Sequence, residues 1–446
     1  MDGMHRPVPP STAYLDHLVA ETAGRREALT GAPERWSDGG APAALVTAVE
    51  QAADRLEPDL VEIVRRLHAD PEPAFEEHRS AATLVEVLAR HGVTAKLGAH
   101  GVPTAFRAEA GTGGPTIAIC AEYDALPGIG HACGHNVIAA SGVGAFLAAR
   151  EALASADAPA GRVVLLGTPA EEGHTGKEVL ARNGALEGID AAIMVHPYGL
   201  DVADQVWLGR RLLTWTFTGR PAHASAQPYM GRNALDAATL AYQGIGLLRQ
   251  QMPPVDRVHA TIAEGGTRPS IITERAVVHL YARSKYPDTL RDLSRRLDDV
   301  ARGAALMTGT DVEITWDDGA HPSLPVRTNR ALTDRWVAAQ RRRGRDPLPA
   351  GVLSETLAAS TDFGNFSFRV PGIHPLVQVS EPDVALHTAE FAAAAATPAA
   401  VSAAVDSAAG LAATALDYLC DEDLRGAVHE EFAREGGPVD VVHYFD

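Results

Sequence analysis

Apolar side chains recur at helical spacing through LVTAVEQAADRLEPDLVEIVRRLHAD (45–70), and again through SAATLVEVLARHG (80–92), where a glycine ends the run. A short helix is predicted near Leu15–Leu29, followed by a loose SDGGAPAA linker. Then the period changes. PTIAICA, RVVLLGTP and AAIMVHP are short apolar runs of strand length, and each ends in polar, reactive side chains. VIAASGVGAFLAAREALA, between the first two, is alanine-rich with a helical period. Strand, helix, strand, helix-length gap and strand predict a largely parallel α/β sheet flanked by helices. In such sheets ligands collect beyond the C-terminal strand ends, which is where the reactive clusters fall.

From about residue 211 the order becomes strand (LLTWTFTG), long helix (NALDAATLAYQGIGLLRQQM), two strands (RVHATIAE, AVVHLYARS), helix (DTLRDLSRRLDDVARGAALM) and strand (DVEITWD). That βαββαβ succession predicts an inserted ferredoxin-like α+β unit. The expected organisation is an N-terminal extension (1–43), a first part of the main domain (44–210), the insertion (211–325) and a second part (326–446). The alanine-rich TPAAVSAAVDSAAGLAATALDYL is expected to be a helix covering the first sheet.

Bulk properties narrow the field. The chain of 446 residues is too long for one small core. Acidic residues outnumber basic ones by 57 to 39, for a net charge of −18, which argues against a nucleic-acid partner. No uninterrupted apolar run is long enough to span a bilayer, so no membrane partner is expected. The N-terminus lacks the basic-then-apolar pattern of a secretory signal. Three cysteines are too few for a disulfide framework, which leads us to expect a cytoplasmic protein.

Four clusters carry chemistry. AEYDALPGIGHACGHN (121–136) holds Glu122, Asp124, His131, Cys133 and His135 in a stretch that glycines and a proline keep irregular. GTPAEEG places Glu171 and Glu172 directly after a strand, MVHPYG holds His196, and ALHTAEF holds His387. Gly134, between Cys133 and His135, gives the backbone freedom to turn both side chains toward one ion. Thiolate and imidazole suit Zn²⁺, with Mn²⁺ or Co²⁺ also accommodated. Adjacent glutamates diverge from an extended backbone, so one can bind metal while the other handles a water. Singly, each cluster has an ordinary explanation as a core histidine, a buried thiol or a solvated acidic face. Three of them following parallel strands would require coincidence.

Taken in order, LHADPEPAFEEH, AEYDALPGIGHACGHN, GTPAEEG, HPYG, FTGRPAHASAQPYMGRNALDA, STDFGNFS and ALHTAEF resemble the M20 family of metallopeptidases and amidohydrolases. The resemblance is to the branch that contains the aminobenzoyl-glutamate hydrolases and the M20-domain dipeptidases, and it runs over nearly all of the chain past residue 50. It implies a zinc-exopeptidase-like catalytic domain binding one or two divalent ions, and a smaller lid and dimerisation domain. Cys133, His135, Glu172, His196 and His387 are the implied ligands, with Cys133 able to bridge two ions. Glu171 is the implied general base and Asp124 the residue that orients a ligand. His223, in GRPAHAS, is implied to reach a partner subunit's site in a homodimer and to stabilise an oxyanion.

Two departures stand out. Glu122-Tyr123-Asp124 replaces a common His-x-Asp, and Ser270 stands where an asparagine often helps hold a substrate carboxylate. Arg268 and Arg283 are nearby cations suited to a carboxylate, or simply solvated strand-edge residues. The implied activity is hydrolysis of the amide bond of a small N-acyl amino acid or dipeptide. The rival readings are an amidase with a Cys133 nucleophile and an inactive metal-bound protein that only binds its ligand.

Overall fold

The computed structural model describes residues 11–29, 39–155, 158–356 and 358–446. The expected N-terminal helix spans Ala13–Leu29, and part of the SDGGAPAA linker lies outside the described residues. Proline and the acidic first turn of EPD start a new helix, so the 45–70 pattern divides into helices Ala43–Arg55 and Glu57–Ala69.

The main sheet has six strands in the order Lys96–Leu97, Phe106–Thr112, Gly161–Gly167, Thr116–Ala121, Ala191–Ile193 and Gly372–Ile373. The last four run parallel; Phe106–Thr112 is antiparallel to Gly161–Gly167. Thr116–Ala121 is buried along its whole length. Ile117, Ile119 and Ala121 join one apolar cluster while Ala118 and Cys120 join another. The period-2 alternation of strand side chains therefore feeds a core on each face of the sheet, as helices on both sides require. On the first face lie helices Ala43–Arg55, Glu57–Ala69, His78–Arg90, His135–Leu153 and Pro398–Cys420. On the other, Leu180, Phe363 and Phe366 pack from Gly176–Arg182 and the segment around Gly364–Ser367.

Pro398–Cys420 is the alanine-rich helix expected to cover the first sheet. By length and composition it is apolar enough to cross a membrane, although Asp406 and Asp417 interrupt the run. It is almost entirely buried, packed chiefly against His135–Leu153, and Asp417 accepts a hydrogen bond from Arg335 Nε (2.8 Å). A helix that is apolar all round and enclosed by protein is a core helix.

A second, antiparallel sheet runs in the order Asp311–Trp316, Trp207–Thr218, Arg275–Ser284, Arg257–Glu264. With helices Ala234–Leu248 and Pro287–Thr308 it follows the βαββαβ order and has an apolar cluster of its own around Trp215, Phe217, Val278 and Leu297. Its first strand begins at Trp207, earlier than the pattern suggested, because Trp207 and Leu208 also pair with Ala359–Ser360. The helices cover one face of this sheet. Near the C-terminal ends of the main sheet's strands, the other face borders a cavity.

Candidate metal centre and active site

The parallel strands deliver the reactive clusters to one place. Glu122 and Asp124 follow Thr116–Ala121, and Glu171 and Glu172 follow Gly161–Gly167. His196 opens a three-residue strand that pairs with Leu376–Gln378. Gly134 has φ of 78°, and a β-carbon there would stand 2.5 Å from Pro197 Cγ. The left-handed turn between Cys133 and His135 therefore accepts only glycine without displacement. His387 has φ of 63°, and its N–H donates to Ala132 O (2.9 Å), which holds it beside the Cys133 segment.

Two donor groups share a sulfur. Cys133, His135 and His196 present ligand atoms within 4.8 Å of one another, as do Cys133, Glu172 and His387. Cys133 Sγ lies 3.4 Å from His196 Nε2, and Glu172 Oε1 lies 3.5 Å from His387 Nε2. The histidine tautomers follow from their partners. His135 Nδ1 faces Asp124 Oδ1 at 2.9 Å and His196 Nδ1 faces the Pro197 carbonyl at 2.7 Å. Each Nδ1 carries the proton it donates, so in the neutral ring Nε2 is the nitrogen that can ligate. His135 Nε2 and Glu172 Oε1 are buried without a hydrogen-bond partner. Burial, then the Glu172 carboxylate, pushes both Cys133 and Glu171 well above their ordinary pKa. A cation reverses that preference. Orphaned lone pairs, a mixed S, N and O donor set, and a thiol and a carboxyl that resist ionising alone all fit divalent metal.

Asp124 does two jobs. Its Oδ1 orients His135, and its Oδ2 accepts the Glu172 backbone N–H at 2.8 Å. Ala170, just before the glutamate pair, has positive φ, and its N–H donates to Glu77 Oε1 at 2.9 Å. The same oxygen accepts from Phe75, which also has positive φ. Glu77 thus fastens two left-handed turns at the edge of the site.

Glu122 turns away from a simple ligand role. One of its oxygens pairs with Lys177 Nζ while the other lies 3.5 Å from His135 Nε2. Lys177 also reaches Asp362 Oδ1 (2.6 Å), and its N–H donates to Asp362 Oδ2 (2.8 Å). All three side chains are fully buried. Lys177 and Asp362 escaped the sequence reading, although GTPAEEGHTGKEV and STDFGNFS contain them. A third donor group, His135, Glu171 and Glu172, adjoins these two, and His131 is buried in the irregular segment outside all three.

The cluster opens into a cavity of about 600 Å³. Cys133, Glu171, Glu172, His196 and His387 line one side, and Trp207, Arg210, Arg257, Tyr281 and Arg283 line the other. Of the expected substrate residues only Arg283 lies here. Arg268 and Ser270 sit in a loop beside His223, where the Ala224 N–H donates to Ser270 O (3.0 Å). His223 is not among the cavity-lining residues; its Nδ1 accepts from the backbone of Ser225 and Ala226.

A hydrolytic centre at the end of a parallel α/β sheet, with metal donors facing a substrate-sized cavity, is the class this geometry defines. The chain belongs to peptidase family M20: the profile of "Peptidase family M20/M25/M40" matches residues 118–409. It is 38% identical to the Xaa-Arg dipeptidase of Mus musculus, over 86% of this chain and 90% of that one. It is 29% identical to one of the subunits of the p-aminobenzoyl-glutamate hydrolase of Escherichia coli (strain K12), over 84% and 93%. Among solved structures, the aminobenzoyl-glutamate utilization protein from Klebsiella pneumoniae superposes with TM-score 0.63 at 18% identity, covering 84% of this chain and 99% of that one. A Bacillus subtilis M20 peptidase described as dinuclear metal binding superposes with TM-score 0.62 at 21% identity, covering 81% and 98%. These two likenesses concern the fold. Family and relatives together make the protein an M20 hydrolase of amide bonds.

Proposed function

We propose that the protein hydrolyses the amide bond of a small N-acyl amino acid or dipeptide, with Glu171 carrying the proton. The carrying observation is the pair of donor groups that share Cys133 and face the cavity beside Glu171. Cys133, His135 and His196 would hold one divalent ion and Cys133, Glu172 and His387 a second. Bound there, such ions supply Lewis acidity that polarises a carbonyl and acidifies water. Glu171, beside both donor groups and returned to its carboxylate form by such cations, would accept a proton from water and return it to the departing amine. Asp124 keeps His135 in its ligating tautomer. His223 lies outside this cavity, and its proposed oxyanion role is completed by a partner subunit in a homodimer. The free thiols of Cys120, Cys133 and Cys420 support residence in the reducing cytoplasm.

The test is product release from dipeptides and N-acyl amino acids, with and without chelator, read by mass spectrometry. Chelation should stop hydrolysis and Mn²⁺ or Zn²⁺ restore it. Glu171→Gln should lower kcat by roughly 10²–10⁴-fold while keeping its metal, and Glu172→Gln should lose metal. Hydrolysis that persists in fully demetallated protein would move the chemistry to Cys133 and sink the proposal. Full activity in Glu171→Gln would sink the proton-carrier role.

A further inference from the structure

The wall opposite the metal donors carries a feature the hydrolytic chemistry does not use. Arg210, Arg283 and Arg257 stand directly across from one another on three adjacent strands, in the register Arg210↔Arg283↔Arg257. Side chains directly opposed in an antiparallel sheet project from the same face, and here all three line the cavity. Like charges in that position destabilise a sheet. Among the described residues, none of the three forms an ion pair, in a chain where acidic residues outnumber basic ones by 57 to 39. Arg257 donates to the backbone carbonyls of Pro254 and Asp256, and Arg210 reaches Thr175 Oγ1 at 3.4 Å while its Nε is buried without a partner. Arg283 and Arg210 both lie over the ring of Tyr281, with guanidinium carbons 4.9 and 5.8 Å from its centroid. Burial and the neighbouring Arg210 make Arg283 harder to keep protonated. The row is a built array of three cations on one wall of the cavity.

We infer that this row selects substrates whose released amino acid carries two carboxylates, as aspartate and glutamate do. This deepens the amide-hydrolase reading and rests on it. A single α-carboxylate occupies one guanidinium fork, which Arg283 alone provides. Arg210 and Arg257 supply the positive charge that one carboxylate does not need and a second one does. The same row repels a cationic side chain, so arginine-terminated substrates, of the kind in the name of the 38% identical relative, are disfavoured here.

Two measurements on the full-length protein test this. In the first, kcat/KM is compared for N-acetyl-glutamate, N-acetyl-glutamine and N-acetyl-arginine with the metal-loaded enzyme. Glutamate should lead glutamine by roughly tenfold or more, with arginine last. In Arg210→Gln and Arg257→Gln, made separately so that one misfolded variant does not decide the matter, the glutamate-to-glutamine ratio should collapse. In the second, glutarate and its half-amide are titrated calorimetrically into chelated protein, and glutarate should bind tighter by a similar factor. Hydrolysis with glutamine equal to glutamate, or with arginine preferred, overturns the inference and leaves the hydrolase reading intact. No hydrolysis of any amide, with glutarate still selected, sinks the hydrolase reading and keeps the dicarboxylate site. Absence of both overturns both.

Discussion

Removing the ammonium of Lys177 isolates the energetics of the buried triad behind the metal donors. Lys177→Met keeps most of the aliphatic stem and deletes the charge. In the native protein burial opposes that charge, but Asp362 and Glu122 outweigh it and hold the lysine protonated. With the ammonium gone, Glu122 and Asp362 stay enclosed at zero side-chain exposure with no cation between them. Deleting one partner of a buried ion pair costs about 3–5 kcal/mol. That is a large share of the roughly 5–15 kcal/mol that holds a typical domain folded. Replacing the whole triad by apolar side chains of similar volume (Lys177→Met, Glu122→Met, Asp362→Leu) removes the stranded charges as well, and such replacements are often neutral. The assay is urea unfolding of chelated protein followed by tryptophan fluorescence, with midpoints compared at unchanged slope. The single variant should lose about 3–5 kcal/mol and the triple should recover most of it. A loss below about 1 kcal/mol in the single variant, or a triple as unstable as the single, would refute the reasoning.

Glu77 sets a pH dependence. Burial, then the Asp124 charge, raises its carboxyl from 4.5 to about 7, so between those values the folded protein holds a proton that the unfolded chain has released. Stability must then fall as pH rises through that window, by on the order of 3 kcal/mol. Glu77→Gln should flatten the fall in thermal midpoint between about pH 5 and about pH 8, and an unchanged slope would count against it. Asp124→Asn removes the charge that fixes His135 and the acceptor of the Glu172 N–H. Metal affinity, read by competition with a chromophoric chelator, should drop about 10–100-fold, and retention of full affinity would show that His135 needs no such partner.

Much of this was legible in the chain. Thr116–Ala121 reads as a strand because burial on both faces makes it continuously apolar, and the polarity change at Glu122 marks where the backbone leaves the sheet. Gly134 announced the turn that brings Cys133 and His135 together. What failed to show depends on distant pairing. Lys177 looks like any lysine early in a helix, and only Glu122, 55 residues earlier, and Asp362, 185 residues later, make it a core residue. The three-residue strands His196–Tyr198 and Leu376–Gln378 have no local pattern long enough to betray them. Arg210 and Arg257 are unremarkable until the register of three strands sets them beside Arg283. The Pro398–Cys420 helix shows the reverse limit, since apolar composition alone does not say whether lipid or protein surrounds it.

The cavity draws its two walls from separate parts of the fold: the donor atoms from loops and element ends around the main sheet, the arginines and Tyr281 from the second sheet. On the inference drawn above, substitution on the second wall retunes which molecule is accepted without disturbing a donor atom on the first. With the arginines as selector, reaction and selectivity become separable traits of one cavity.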